Sequence, residues 1–234
     1  MRSDIYSGLR IDQPIFVRVD GVNFSTLCDF LGFEKPYDER LVSALSKAAE
    51  HVMERLNPKL AYIFSDEINF FFTTPLPYDG RVEKMDSVIP SMVAGALSME
   101  LGTPTAFDSR IIIGDIIEYL SSRQGEAWRN HINSYAFYSL LSKGMDRRGS
   151  AAMLRRMKSH EIHEFMFKRG VNLAKTPTWQ RRGIIVCKET YEKRGFDPIG
   201  KKDVTVERKR VKVYWDLPIF HKPEGRSFLE ALVD

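Results

Sequence analysis

The sequence predicts an α+β fold in which helices cover an antiparallel sheet, and three stretches carry that expectation. Ile15, Val17 and Val19 alternate with Phe16, Arg18 and Asp20, the period of two that a strand requires. Residues 60–64 (LAYIF) and 68–72 (INFFF) are short aromatic and β-branched runs parted only by Ser65-Asp66-Glu67, which reads as a hairpin. Between strand and hairpin, Leu41, Leu45, Ala48, Val52 and Leu56 recur at helical spacing. The resulting order of strand, helix, hairpin, helix and strand favours an α+β sandwich.

Taken in order, the first strand ends at Asp20-Gly21. The first long helix starts at Asp38, a good N-cap, and stops at Asn57-Pro58. Pro75, Pro77 and Gly80 mark a loop, residues 82–101 read as a helix broken or kinked at Pro90, and residues 110–113 as another strand. From Asp115 to about Phe167 the pattern is mostly helical, with Gly144 and Gly149 as breaks. Residues 182–188 and 204–215 then read as strands of a hairpin, joined by a basic loop, YEKRGFDPIGKKD. Residues 1–143 are expected to form the main domain, and residues 144–234 a basic, helical and β-hairpin elaboration of that same domain.

At 43% hydrophobic and 28% charged residues, the 234-residue chain is not a disordered one. No window approaches the roughly 20 apolar residues that span a bilayer, and MRSDIYSGLR has no apolar signal core, so a soluble, cytoplasmic protein without a membrane partner is expected. Cys28 and Cys187 lack metal-ligand spacing and read as reduced packing residues. Charge is divided unevenly. Residues 1–117 hold 11 Lys and Arg against 17 Asp and Glu, while residues 118–234 hold 24 against 14. A basic half facing a polyanion, with acids reserved for metal, suits an enzyme of nucleic acids, although a solvated mixed-charge surface has the same composition.

The acids that stand out are Asp20 and Asp66, each where a strand stops. If those strands are neighbours, the two carboxylates can share a pair of Mg²⁺ ions, as phosphoryl and nucleotidyl transfer require. Gly21, without a Cβ, lets a metal or phosphate approach its carbonyl. Each segment alone also fits an ordinary turn. Glu67 is either a further ligand or a solvated charge. Phe33 and Lys35 precede the helix start at Asp38, where an aromatic face and a cation suit a base and a phosphate, or simply a capped apolar loop. Lys84 and Ser87, at i and i+3, fit phosphate contact or an exposed helix face. His160 and His163 lack a third ligand and read as a solvated face. Trp179 with Gln180, Arg181 and Arg182 reads as an RNA-contacting strand or as a strand edge with an anchoring Trp.

RVDGVNFS, FEKPYDER, FSDEINFFF, SRQGEAWRN and GVNLAKTPTWQRRG, in this order, resemble the tRNA-histidine guanylyltransferase family and its 3′–5′ polymerase relatives, from about residue 12 to 188. The resemblance implies a polymerase-palm-like domain, two Mg²⁺ ions, and addition of a GTP-derived nucleotide to the 5′ end of tRNA after activation of its 5′-phosphate by ATP or GTP. It implies metal binding by Asp20, Asp66 and the Gly21 carbonyl, with Glu67 as the following acid. It places nucleotide at Phe33, Glu34, Lys35, Asp38, Ser65, Lys84 and Ser87. It places the RNA end or triphosphate near Arg123, Gln124, Trp128, Arg129, Asn130, Asn172, Arg181 and Arg182, and it implies a homotetramer. Where eukaryotic members carry His-Ile-Asn-Asn this chain has Trp128-Arg129-Asn130-His131, with His131-Ile132-Asn133 three residues later; Tyr37 stands for an asparagine and Ser122 for a tryptophan. These departures are more similar to the archaeal and bacterial branch, which favours templated addition. The alternatives are a palm-type nucleotide cyclase and a non-catalytic RNA-binding module.

Overall fold

The computed structural model describes residues 5–197, 200 and 202–233. The elements are β1 (Ile15–Gly21), α1 (Phe24–Phe30), α2 (Glu39–Leu56), β2 (Leu60–Phe64), β3 (Glu67–Phe72), α3 (Val82–Leu101), β4 (Phe107–Ile112), α4 (Ile116–Leu141), α5 (Arg147–Leu154), α6 (Ser159–Phe167), α7 (Thr178–Arg182), β5 (Ile184–Asp197), β6 (Lys202–Tyr214) and α8 (Pro223–Val233). All six strands pair antiparallel in one sheet of order β4-β1-β3-β2-β5-β6. The α+β architecture expected from the sequence is therefore the observed one.

Register decides which side chains share a face. Asp20 lies opposite Glu67 and Asp108, and Arg18 opposite Asn69 and Arg110, so all six occupy one face. On that face α4 is anchored by Tyr119 against Phe16, with ring centroids 4.2 Å apart, and Phe220 packs edge-on against Tyr62. Ile15, Val17, Val19, Ile68 and Phe70 fill the other face, where α2 meets β2 and α3 meets β1 and β4. A second, smaller core joins Ile132, Ala136 and Leu140 of α4 to Leu154, Ile162 and Met166 of α5 and α6.

Helix α2 begins and ends as its sequence dictates. The Asp38 carboxylate accepts the Arg40 N–H at 2.8 Å, and Asn57 takes the left-handed conformation (φ 54°) before Pro58. Helix α3 departs from expectation, since it continues unbroken through Pro90. Pro90 has no N–H for the Asp86 carbonyl four residues back, and the Ser109 hydroxyl of β4 supplies the missing donor at 2.7 Å. That donor is 23 residues away in sequence.

Other corrections fall in the second half. Gly149 is not a break; it lies inside α5, where its N–H caps onto Asp146. Strand β4 begins at Phe107, three residues before the expected start. Trp179, Gln180, Arg181 and Arg182 form a short helix rather than a strand, and β5 follows at Ile184. Gly183 makes that junction possible, because its φ of 74° and its approach to the Ile63 carbonyl leave no room for a side chain. Most of the expected basic loop is strand, with β5 paired to β6 as far as Asp197 and Lys202; Pro198, Ile199 and Lys201 of that segment lie outside the described residues. No helix among the described residues is long and apolar enough to cross a membrane.

Candidate active site

The two acids meet because β1 and β3 are neighbours. Asp20, the penultimate residue of β1, lies opposite Glu67, the first residue of β3, and the Gly21 N–H bonds the Asp66 carbonyl at 3.1 Å. Ser65 and Asp66 form the two-residue turn, with Ser65 at φ 53°, the left-handed value that such a turn needs. The Ser65 hydroxyl bonds Asp66 Oδ1 at 2.9 Å. Burial raises the Asp66 carboxyl above the usual aspartate range, and the charge of Asp20 adds to the rise. An environment that resists negative charge, beside a second carboxylate, fits a divalent cation with hard oxygen donors. Among the described residues no three Asp, Glu, His or Cys side chains converge as a ready metal cage. Gly21 is required here for a further reason, since a Cβ would overlap the Phe24 ring.

A cavity of about 250 Å³ opens beside Asp66, lined by Phe33, Glu34, Lys35, Asp38, Ser65 and Tyr138 among others. The structure thus gathers five of the seven expected nucleotide residues around one acid. Lys35 is held by Asp29 (2.9 Å) and sits over the Tyr138 ring. Asp38 shapes the loop rather than facing into open space. Its carboxylate takes the Glu34 and Arg40 N–H groups and the Arg40 guanidinium, which together bring its pKa down to about 2. Lys84 and Ser87 do not line this cavity; Ser87 returns its hydroxyl to the Glu83 carbonyl of its own helix.

Glu67 points away from the cavity and is 3% exposed. Arg123 of α4 grips both its oxygens, Asn69 donates at 2.7 Å, and Arg18 Nε lies 2.8 Å away in an ion pair. Arg18 also donates to Asp20 Oδ2 at 2.7 Å, and Tyr119 donates to Asn69. This network ties the end of β1 to α4. Arg18, Asn69 and Tyr119 carry no motif that marks them in the sequence, yet the period-two phase that puts Arg18 on the face of Asp20 is readable there.

The expected RNA-end residues separate. Gln124, Trp128, Arg181 and Arg182 share a second cavity of about 340 Å³, whereas Asn130 sits in a shallow hollow next to Ser65. Gln124 bridges the Pro218 carbonyl and the Phe220 N–H. Arg129 is exposed and paired with Glu126, and Asn172 caps the turn at Leu173–Lys175. His160 is exposed, and His163 lies 6.2 Å from the Trp128 ring.

Comparison with known proteins places this geometry. Residues 4–114 match the model of a family described as tRNAHis guanylyltransferase. A probable tRNA(His) guanylyltransferase of Drosophila melanogaster is 29% identical over 191 residues, covering 75% of this chain and 67% of its own. A bacterial tRNA(His) guanylyltransferase-like protein in complex with GTP superimposes with a TM-score of 0.74 at 24% identity, covering 97% of this chain and 93% of that one. The same description in complex with ATP gives 0.76 at 23%, covering 98% and 94%; at such identity the two structures speak for the fold. The chain is therefore similar, in sequence over its first half and in fold over nearly its whole length, to tRNA(His) guanylyltransferases.

Proposed function

We propose that the protein adds GTP-derived or templated nucleotides to the 5′ end of tRNA in the 3′–5′ direction, after ATP or GTP activates the 5′-phosphate, in a Mg²⁺-dependent reaction. The observation that carries this reading is the junction of Asp20, Gly21 and Asp66 at one sheet edge beside a loop-lined cavity. Asp20, Asp66 and the Gly21 carbonyl would hold two Mg²⁺ ions. Such a pair, when bound, neutralises the triphosphate and makes the attacking 3′-hydroxyl easier to deprotonate.

The chain's own groups do the rest by placement. Lys35 presents a cation to phosphate, Phe33 offers a ring to a base, and Ser65 orients the Asp66 carboxylate. Glu67 serves as a positioning residue, holding Arg18, which in turn holds Asp20. Gln124, Trp128, Arg181 and Arg182 are assigned to the RNA end. Residues 144–234 are read as an elaboration of the palm-like domain, the assembly as a homotetramer, and the compartment as cytoplasm.

The test uses purified protein with Mg²⁺, ATP, GTP and tRNA truncated at its 5′ end. Asp20→Ala and Asp66→Ala should each abolish nucleotide addition while the melting curve keeps its cooperative form. Full activity in either variant would sink the assignment. Product formed from nucleotide triphosphate without RNA would replace it with a cyclase-type reaction.

A further inference from the structure

We propose that β4 is an interface: its free edge pairs antiparallel with β4 of a second copy of this chain, about a two-fold axis at Ser109, with Asp108 of each copy facing Arg110 of the other. Strand β4 ends the sheet, and among the described residues no strand pairs with its outer edge. The Val22 N–H bonds the Ala106 carbonyl at 2.9 Å, which fixes the parity of the β1–β4 ladder. Asp108 and Arg110 therefore spend their backbone groups on β1, while Phe107, Ser109 and Ile111 turn N–H and C=O outward.

Those outward groups match a copy of themselves. Centred on Ser109, the two strands would exchange about six backbone hydrogen bonds, between the two Ser109 residues and at both Phe107–Ile111 pairs. A two-fold contact demands that if residue i meets j, then j meets i. The charges satisfy the same condition. Asp108 and Arg110 are exposed, and neither has an ion-pair partner among the described residues. Facing across a non-hydrogen-bonded position, their Cα atoms would stand about 4.5 Å apart, where opposite charges attract.

Other registers are worse. Centring on Arg110 opposes two like charges, and centring between Ser109 and Arg110 sets Asp108 against Ile111. Charges on an edge strand often serve to repel a second strand. Opposite signs two residues apart do the reverse for a copy in this register. Ile113, which directly follows β4 and is 54% exposed, adds apolar surface beside the edge. The pairing would double the sheet, and it does not depend on the catalytic reading.

Sedimentation velocity on the full chain tests the proposal. The unmodified protein should sediment as a dimer or an even multiple of one. Asp108→Arg opposes two arginines and Arg110→Asp two aspartates, so each should fall to half that mass. The double swap Asp108→Arg/Arg110→Asp restores complementarity and should restore the mass. A monomeric unmodified protein, single variants that assemble unchanged, or a double swap that stays dissociated would each overturn the idea. Should the charge variants fail to fold by circular dichroism, Ser109→Cys decides. Hydrogen-bonded partners stand about 5.5 Å apart between Cα atoms, within disulfide range, so mild oxidation should give a covalent dimer. Cys28 and Cys187 are buried and should not compete, and absence of the cross-link overturns the pairing.

Discussion

Glu67 illustrates how one carboxylate changes meaning once its neighbours are known. By sequence it is the second acid of an acidic turn; in the structure it is the buried hub of two arginines and an amide. Glu67→Gln keeps the shape and removes the charge shared by Arg18 and Arg123, leaving Arg18 only Asp20 and Arg123 only the half-exposed Glu126 as acidic partners. A loss of about 3 kcal/mol of stability is expected, measured by urea denaturation. Nucleotide addition should fall as well, because Arg18 would no longer be anchored behind Asp20. The strand phase makes Asp20 and Arg18 legible, since alternate residues share a face. The partner Arg123 is not legible as such, because the hydrogen bond spans 56 residues and depends on how α4 lies across the sheet.

At the scale of elements, His131 links α4 to the segment before α7. It is fully buried, stacks between Tyr37 and Trp128, and its Nε2 lies 3.0 Å from the Thr176 hydroxyl. Burial holds its pKa down to about 4. The unfolded chain takes up the proton near 6.5, so the stabilisation from neutral His131 is complete above that value and is lost as pH falls towards 4. The full interval corresponds to about 3 kcal/mol, and the urea midpoint followed against pH should show it. His131→Asn should flatten that dependence. Helix α2 and the hairpin β2–β3 are legible because their caps, period and turn are local. The continuity of α3 through Pro90 and the helix at Trp179 are not. The first rests on the Ser109 hydroxyl of another element, and the second on five residues whose composition suits strand and helix alike.

For the whole molecule, charge and topology point the same way. The C-terminal half carries the excess of cations, and β5 and β6 display Lys193, Arg194, Arg208 and Lys209 in exposed positions. If RNA lies along this hairpin, the affinity for tRNA should fall steeply with salt. Replacing Arg208 and Lys209 by Ala should reduce the slope of log K against log salt by about 0.7–0.9 for each phosphate that is no longer neutralised, read by filter binding. The sign of this half is visible in the sequence. Its hairpin is legible as well, but the length of the pairing is hidden, because Glu189, Glu192 and Gly195 interrupt the apolar pattern while cross-strand pairing continues.

The two-faced sheet also has a history in time. Residues 15–112 hold four of the six strands and the three helices that include α2 and α3. As the chain leaves the ribosome, one side of the nascent sheet can be sheltered at once by those helices. The other side, with Phe16, Tyr62 and Phe71, waits for α4 and for Phe220, both later in the sequence. Until α4 emerges Glu67 also lacks Arg123, so the strand ends bearing both acids are clamped only after β1 to β4 have all been made.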